Sequence, residues 1–278
     1  MESSNIGFIG AGNMASSLIH GLLKQDVAAD NLWACDIDGE KLSQITSSTG
    51  IRSASSSDIA RSADVILLAV KPQVMKQVCL GLKNGIKSRP CLLISIAAGI
   101  SLVNLQAWLG AGKNNGSAIV RCMPNTPALV GKGATALFAN QEVTTDQRKL
   151  AEQILSAVGI TVWVDREEDI DAVTALSGSG PAYFFLLMEA MQSVAAEMGL
   201  SQNVARKLTI QTALGAASLA LAGDEDTADL RRRVTSPGGT TEKAIATFES
   251  GDFRGLVKSA LLDAQSRSIE LAEEFGEN

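Results

Sequence analysis

The chain has 278 residues, 46% of them apolar, enough to build one or two cored domains. Its 24 Lys and Arg against 30 Asp and Glu leave a net charge of −6, which argues against a binder of nucleic-acid phosphates. Four cysteines, Cys35, Cys79, Cys91 and Cys122, are scattered with no C-x-x-C pair, so they read as small buried hydrophobes in a reducing compartment, not as a disulfide or zinc framework.

In chain order, Asn5–Ile9 is a short buried strand running into Gly10-Ala11-Gly12-Asn13-Met14-Ala15. Met14, Leu18, Leu22 and Leu23 then share one face of a helix. G-x-G-x-x-A between a strand and a helix lets backbone approach a pyrophosphate at the helix N-terminus. A dinucleotide is the expected ligand of those six residues, although a plain strand–helix turn has the same pattern. The apolar stretch after Met1 is glycine-broken and lacks a basic flank, so no secretory segment is expected.

Leu32–Cys35 is the next strand, ending at Asp36, with a helical segment near Asp38–Ile45 and an extended piece at Ile51-Arg52. Val65–Val70 is a continuous apolar strand, and a helix begins near Gln73 after Lys71-Pro72. Cys91–Ile96 is a buried strand, and the apolar run Cys91–Ile100 that contains it is too short to span a bilayer. Leu102–Leu109 is a helix and Ala118–Cys122 a further strand. Gly133–Ala139 and Thr161–Val164 extend the sheet, with a helix at Thr145–Ala157 between them. Unbroken apolar strands alternating with helices predict a doubly wound, parallel, Rossmann-type sheet covered on both faces.

Beyond Asp165 the pattern is helical: Pro181–Met198, Gln202–Ala222, Ala228–Val234, Thr240–Glu249 and Gly255–Phe275. The expected division is therefore residues 1–165 as a dinucleotide-binding domain and 166–278 as an all-helical domain. Ala182–Ala196 and Ala213–Ala222 are apolar around most of the helix, and such a helix must be buried on all sides. A half of this size cannot do that alone, so a homodimer is expected. The protein is expected to be soluble and cytoplasmic, without nucleic-acid or membrane partners.

Ligands of a doubly wound sheet sit at the carboxyl ends of strands. Three loops lie there: Ala69-Val70-Lys71-Pro72, Ser95-Ile96-Ala97-Ala98-Gly99 and Arg121-Cys122-Met123-Pro124-Asn125-Thr126-Pro127. They offer small residues and backbone, not acids and bases, which suits a nicotinamide. Ala69, Val70, Lys71, Pro72, Ala97, Ala98 and Asn125 are counted as cofactor-binding, with Ser56. In the helical half, Arg233-Val234-Thr235-Ser236-Pro237-Gly238-Gly239-Thr240-Thr241-Glu242 precedes a helix. Bare N–H groups and hydroxyls at a helix N-terminus cradle a carboxylate or phosphate without a cation. Such runs also cap helices that bind nothing. The acidic runs Glu167-Glu168-Asp169 and Asp224-Glu225-Asp226 read as solvated loops, and Arg231-Arg232-Arg233 as a solvated helix face.

On these motifs the chain resembles pyrroline-5-carboxylate reductases. The residues that carry the resemblance are F-I-G-A-G-N-M-A, A-V-K-P, S-I-A-A-G, R-C-M-P-N-T-P-A, I-D-A-V-T-A-L-S-G-S-G-P-A-Y-F and V-T-S-P-G-G-T-T, in the family's order along essentially the whole chain. The resemblance implies a Rossmann domain joined to a helical domain that intertwines with a second subunit, often in rings of dimers. It implies the last step of proline biosynthesis, with hydride passing from NADPH or NADH to the imine carbon of 1-pyrroline-5-carboxylate. It places the substrate carboxylate on Ser236, Gly238, Gly239, Thr240 and Thr241, and gives Thr241 the catalytic bond to the ring nitrogen. No metal is implied.

Cofactor choice turns on Asp36. An acid about twenty residues beyond the glycine motif accepts hydrogen bonds from the adenosine ribose and repels a 2′-phosphate. Family members often carry Ser or Thr here and use NADPH, and a rotated Asp36 with Lys41 nearby offers a way to accept the phosphate. The choice between NADPH and NADH therefore stays open. The single histidine, His20, lies on the first helix, away from the cradle, and reads as a partly exposed surface residue. Two other readings compete. A β-hydroxyacid dehydrogenase or imine reductase needs a helical-domain lysine, for which Lys207 is the candidate. A dinucleotide-sensing regulator needs no Ser236–Thr241 cradle.

Overall fold

The computed structural model describes residues 4–110 and 116–277. Backbone contacts divide the chain into two compact units, one reaching to Ser179 and taking in Asp263 onward, the other Gly180–Leu262. The first unit carries β1 (Ile6–Ile9), α1 (Asn13–Lys24), β2 (Leu32–Cys35), α2 (Gly39–Thr49), β3 (Arg52–Ser53), α3 (Ser56–Ser62), β4 (Val65–Leu68), α4 (Pro72–Ser88), β5 (Leu92–Ser95), α5 (Leu102–Leu109), β6 (Ala118–Met123), β7 (Gly133–Ala139), α6 (Thr145–Leu155), β8 (Gly159–Trp163) and α7 (Asp169–Val173). The strands form one sheet in the order β3-β2-β1-β4-β5-β6-β7-β8.

The apolar strands are buried on both faces because alternate side chains enter two different cores. Ile6, Phe8, Val65, Leu67, Leu92 and Ile94 pack with Leu18 and Leu22 of α1. Ile9, Ile66, Leu68 and Leu93 pack with Met75 and Leu82 of α4. The strand order reverses between β1 and β4, which opens a crevice at their carboxyl ends.

One pairing departs from the expected parallel sheet: β7 lies antiparallel to β6. The connection Pro124–Lys132 is shorter than the roughly dozen residues a parallel crossover needs. It holds a 3₁₀ turn at Thr126–Val130 that sends the chain back alongside β6. The short helix α3 was not expected either. Its seven residues, five of them polar, carry little periodicity, and its start is fixed by Ser55, whose side chain accepts from the Asp58 N–H.

The second unit holds α8 (Gly180–Glu197), α9 (Gln202–Leu221), α10 (Thr227–Arg233), α11 (Thr240–Ser250) and the first part of α12 (Phe253–Glu277). Its helices leave large apolar side chains in water. Phe184 is 64% exposed, Phe185 62% and Leu214 57%, while Phe8 and Leu67 of the sheet are fully buried. The contact division at Ser179 and the return of Asp263 onward to the first unit differ from a single boundary at 165. The physical reason is visible at the end of α12. Ser268 Oγ donates to Asp171 Oδ1 at 2.7 Å, and a Cβ on Gly99 would lie 3.1 Å from the Phe275 ring. The last turns of the chain thus pack on α7 and on the loop after β5.

Candidate functional site

The glycine loop is built by two glycines with different tasks. Gly10 ends β1 at φ +106°, and its N–H donates to the Cys35 carbonyl at 2.8 Å. A Cβ there would sit 2.5 Å from the Ala69 carbonyl oxygen, so only glycine fits between β1 and the end of β4. Gly12 is the N-cap of α1, with an ordinary φ and nothing within 4 Å of its missing Cβ. The helix start has no side-chain cap and no acid in its first turn. Open space above an uncapped helix N-terminus suits an anionic diphosphate. Of the other expected residues here, Ala11 and Ala15 are buried and shape the turn, while Asn13 is exposed and Met14 half-buried.

This difference gives a first test. Gly10→Ala should destabilise the fold by about 2 kcal/mol or more, through strained φ and backbone overlap. A thermal melt should show a drop of roughly 5 °C. An unchanged melting temperature contradicts the role given to Gly10.

The loops after β4, β5 and β6 stand in a row beside β1. Ala69 is tied to β1 through its N–H to the Ile9 carbonyl, 2.8 Å. Val70 and Pro72 are half-buried, and Lys71 is exposed as the N-cap of α4. Ala97 is buried and Ala98 half-buried, with Gly99 at φ +71° turning the chain toward α5. Ser56 is exposed at the start of α3. Asp36, immediately after β2, reaches the glycine loop directly: its Oδ2 accepts from the Ala11 N–H at 2.6 Å and its Oδ1 from the Asp38 N–H at 2.8 Å.

Asn125 spends its side chain on the scaffold. Its Nδ2 donates to the Ser177 carbonyl at 3.0 Å, and its Oδ1 accepts from the Ala134 N–H at 2.9 Å. Ser177 lies in a π-helical turn, Thr174–Gly178, closed by the Ser179 N–H to the Thr174 carbonyl at 2.8 Å. Single π turns inside helices often mark functional segments. Asn125 therefore clamps this turn to the loop after β6.

A polar cluster missed in the sequence lies nearby. Arg121, 3% exposed within β6, pairs with Glu167 Oε1 at 2.8 Å. Glu167 also accepts from the Leu102 N–H at 2.7 Å, and Asp171 lies 4.0 Å from the guanidinium. Glu167 is thus no solvated loop residue: it joins β6 to the start of α5. The available signal was an arginine in the middle of an apolar strand, since buried charge demands a partner.

In the second unit, the Ser236–Thr241 run forms a tight turn at the start of α11. Gly238 has φ +73° and gives its N–H to Glu242 Oε2 at 2.7 Å. The Gly239 N–H closes on the Ser236 carbonyl at 3.0 Å. The Gly238 and Gly239 N–H groups are therefore used within the turn, which corrects the expectation that Gly239 donates to a ligand. No side chain caps α11, and Thr240 and Thr241 are exposed. By helix geometry their N–H groups have no partner inside the helix.

Asp226 caps α10 through the Ala228 N–H at 2.8 Å. Each member of the arginine run has an acid partner: Arg231 with Glu249 at 3.4 Å, Arg232 with Asp229 and Arg233 with Glu225. His20 is exposed, with Nδ1 2.7 Å from the Ser16 carbonyl. Lys207 is exposed on α9.

Residues 167–271 match the pyrroline-5-carboxylate reductase dimerisation family, and residues 5–99 match the family described as NADP oxidoreductase, coenzyme F420-dependent. The chain is 51% identical to the pyrroline-5-carboxylate reductase of Pseudomonas aeruginosa over the whole of both chains. A solved pyrroline-5-carboxylate reductase from Coxiella burnetii superposes with a TM-score of 0.92 at 45% identity, over 97% of this chain and 99% of that one. A Plasmodium falciparum pyrroline carboxylate reductase, solved with NADP bound, gives a TM-score of 0.83 at 31% identity over 98% and 99%.

Proposed function

The chain belongs to the pyrroline-5-carboxylate reductase family, and on that footing we propose how its residues divide the reaction. It is an NAD(P)H-dependent oxidoreductase that reduces the C=N bond of 1-pyrroline-5-carboxylate to give L-proline, the last step of proline biosynthesis. Bound NADPH or NADH supplies the hydride to the imine carbon.

We assign residues 1–165 to cofactor binding and 166–278 to substrate binding and pairing. Gly10 and Ala15 shape the loop, and Gly12, Asn13 and Met14 border the diphosphate at the start of α1. The short residues Ala69–Pro72, Ala97 and Ala98 bound the nicotinamide end, and Asn125 positions the turn beside it. On the substrate side, the N–H groups of Thr240 and Thr241 and the Ser236 hydroxyl hold the carboxylate, with Gly238 and Gly239 shaping the turn. Thr241 Oγ1 orients the ring nitrogen. An imine protonated in water needs orientation more than an acid, which fits a cradle of hydroxyls and N–H groups.

The observation that carries the substrate assignment is the uncapped, exposed N-terminus of α11. Comparing 1-pyrroline, which lacks the carboxylate, with 1-pyrroline-5-carboxylate tests it. Losing charge-assisted hydrogen bonds should lower kcat/KM by about 100-fold or more, with little change in the KM for cofactor. Equal turnover of both imines means the carboxylate is not recognised.

We further propose a homodimer built on the helical unit, working in the cytoplasm. The stretch Asp169–Glu197 is long and apolar enough to cross a membrane by length and composition alone. The dimerisation match over the same residues supports a protein surface as its cover. Exposed apolar area costs about 25 cal/mol per Å² in water, and patches this large are rare on monomers. All four cysteines are free, and burial pushes the Cys79 and Cys91 thiols up to about 12, which suits inert residents of a reducing compartment. Sedimentation at micromolar concentration should show a dimer or a multiple of it. A fully active monomer contradicts the pairing.

A further inference from the structure

We infer that this chain prefers NADH to NADPH and that Asp36 sets the preference. The inference rests on the reading of Gly10–Ala15 as the dinucleotide loop and deepens it.

The Asp36 carboxylate is built into that loop. One oxygen holds the Ala11 N–H at 2.6 Å, inside the G-x-G-x-x-A run, and the other holds the Asp38 N–H at 2.8 Å. Turning the side chain aside to admit a phosphate would leave both N–H groups without it, one of them on a buried residue. The fixed carboxylate has about four acceptor positions, of which two are filled. The two that remain suit the vicinal hydroxyls of an adenosine ribose.

The basic residues that follow Asp36 on α2 and β3, Lys41 and Arg52, are already paired with acids. Asp38 and Glu40 follow Asp36 within the same turn. Lys41, the one cation of that turn, pairs with Asp38 at 2.8 Å. Asp38 is itself fixed by accepting the Glu40 and Lys41 N–H groups at 3.2 Å. Arg52 on β3 pairs with Asp30 at 2.9 Å. A phosphate monoester brings roughly −1.5 to −2 charges at neutral pH, and here it meets three acids and one lysine already engaged. Exposed pairs are weak, so an engaged lysine can still swing toward a phosphate, and the test includes Lys41.

Direct titration of the purified full chain with each reduced dinucleotide, without substrate, reads the preference apart from turnover. NADH should bind at least about tenfold more tightly than NADPH, the worth of one hydrogen bond to a charged group. Asp36→Ser and the shape-conserving Asp36→Asn should each weaken NADH and strengthen NADPH, moving the affinity ratio by about 100-fold in total. Lys41→Ala should leave the ratio within about twofold. Tighter or equal NADPH binding by the parent overturns the inference. So does an unmoved ratio in either Asp36 variant that melts as the parent does. A loss of NADPH affinity alone in Lys41→Ala overturns it too, by showing that the lysine serves the phosphate. If neither dinucleotide binds, the reading of the Gly10–Ala15 loop itself fails, and the inference with it.

Discussion

Gly12→Val is expected to weaken dinucleotide binding by about 100-fold or more while the fold stands. Gly12 is an N-cap with extended backbone angles, and nothing lies within 4 Å of its missing Cβ. The Cβ of a valine there has open space around it. The substitution costs α1 only the modest loss of a good cap residue, so the melting temperature should move by less than about 4 °C. What valine fills is the space from which a diphosphate approaches the helix N-terminus. Gly10→Ala is the opposite case, damaging the fold through Ala69. Binding by Gly12→Val at the parent's affinity would place the dinucleotide elsewhere and remove the basis for the cofactor assignments.

Thr241→Ala is expected to lower kcat/KM for 1-pyrroline-5-carboxylate by about 10- to 100-fold, roughly 1.5–3 kcal/mol for one hydrogen bond to a charged group. Thr241 is exposed in the first turn of α11 and its side chain caps nothing. Helix content, pairing and cofactor affinity should therefore be unchanged. Thr241→Ser keeps the hydroxyl and should recover most of the loss. Parent-like turnover by a folded Thr241→Ala would sink the role given to that hydroxyl.

The sequence disclosed periods and breakers well and directions poorly. Leu32–Cys35, Leu102–Leu109 and Gly133–Ala139 have the bounds expected of them, because each apolar run is closed by a turn residue or a cap. The antiparallel direction of β7 was not legible, since alternation is the same for either direction and only the short Pro124–Lys132 connection carries the information. The π turn at Thr174–Gly178 was hidden inside a run that reads as ordinary helix. Its clamp, Asn125, was singled out as a cofactor residue, but the fold fixes what its amide does.

The candidate sites show the same division. The residue types of the Ser236–Thr241 run announced an anion cradle, yet spacing could not say which N–H groups stay open. The structure assigns those of Gly238 and Gly239 to Glu242 and Ser236. Asp36 was legible as an acid after a strand, but its two backbone bonds were not. Arg121 was passed over because its partners Glu167 and Asp171 lie far along the chain.

The most direct test of the central claim mixes purified protein with 1-pyrroline-5-carboxylate and reduced nicotinamide dinucleotide, then measures dinucleotide oxidation and L-proline together. The proposed division of labour requires oxidation that depends on the imine and yields one L-proline per dinucleotide consumed. It also requires that rate to fall with both Gly12→Val and Thr241→Ala. Oxidation without proline, or proline formation untouched by either substitution, contradicts it.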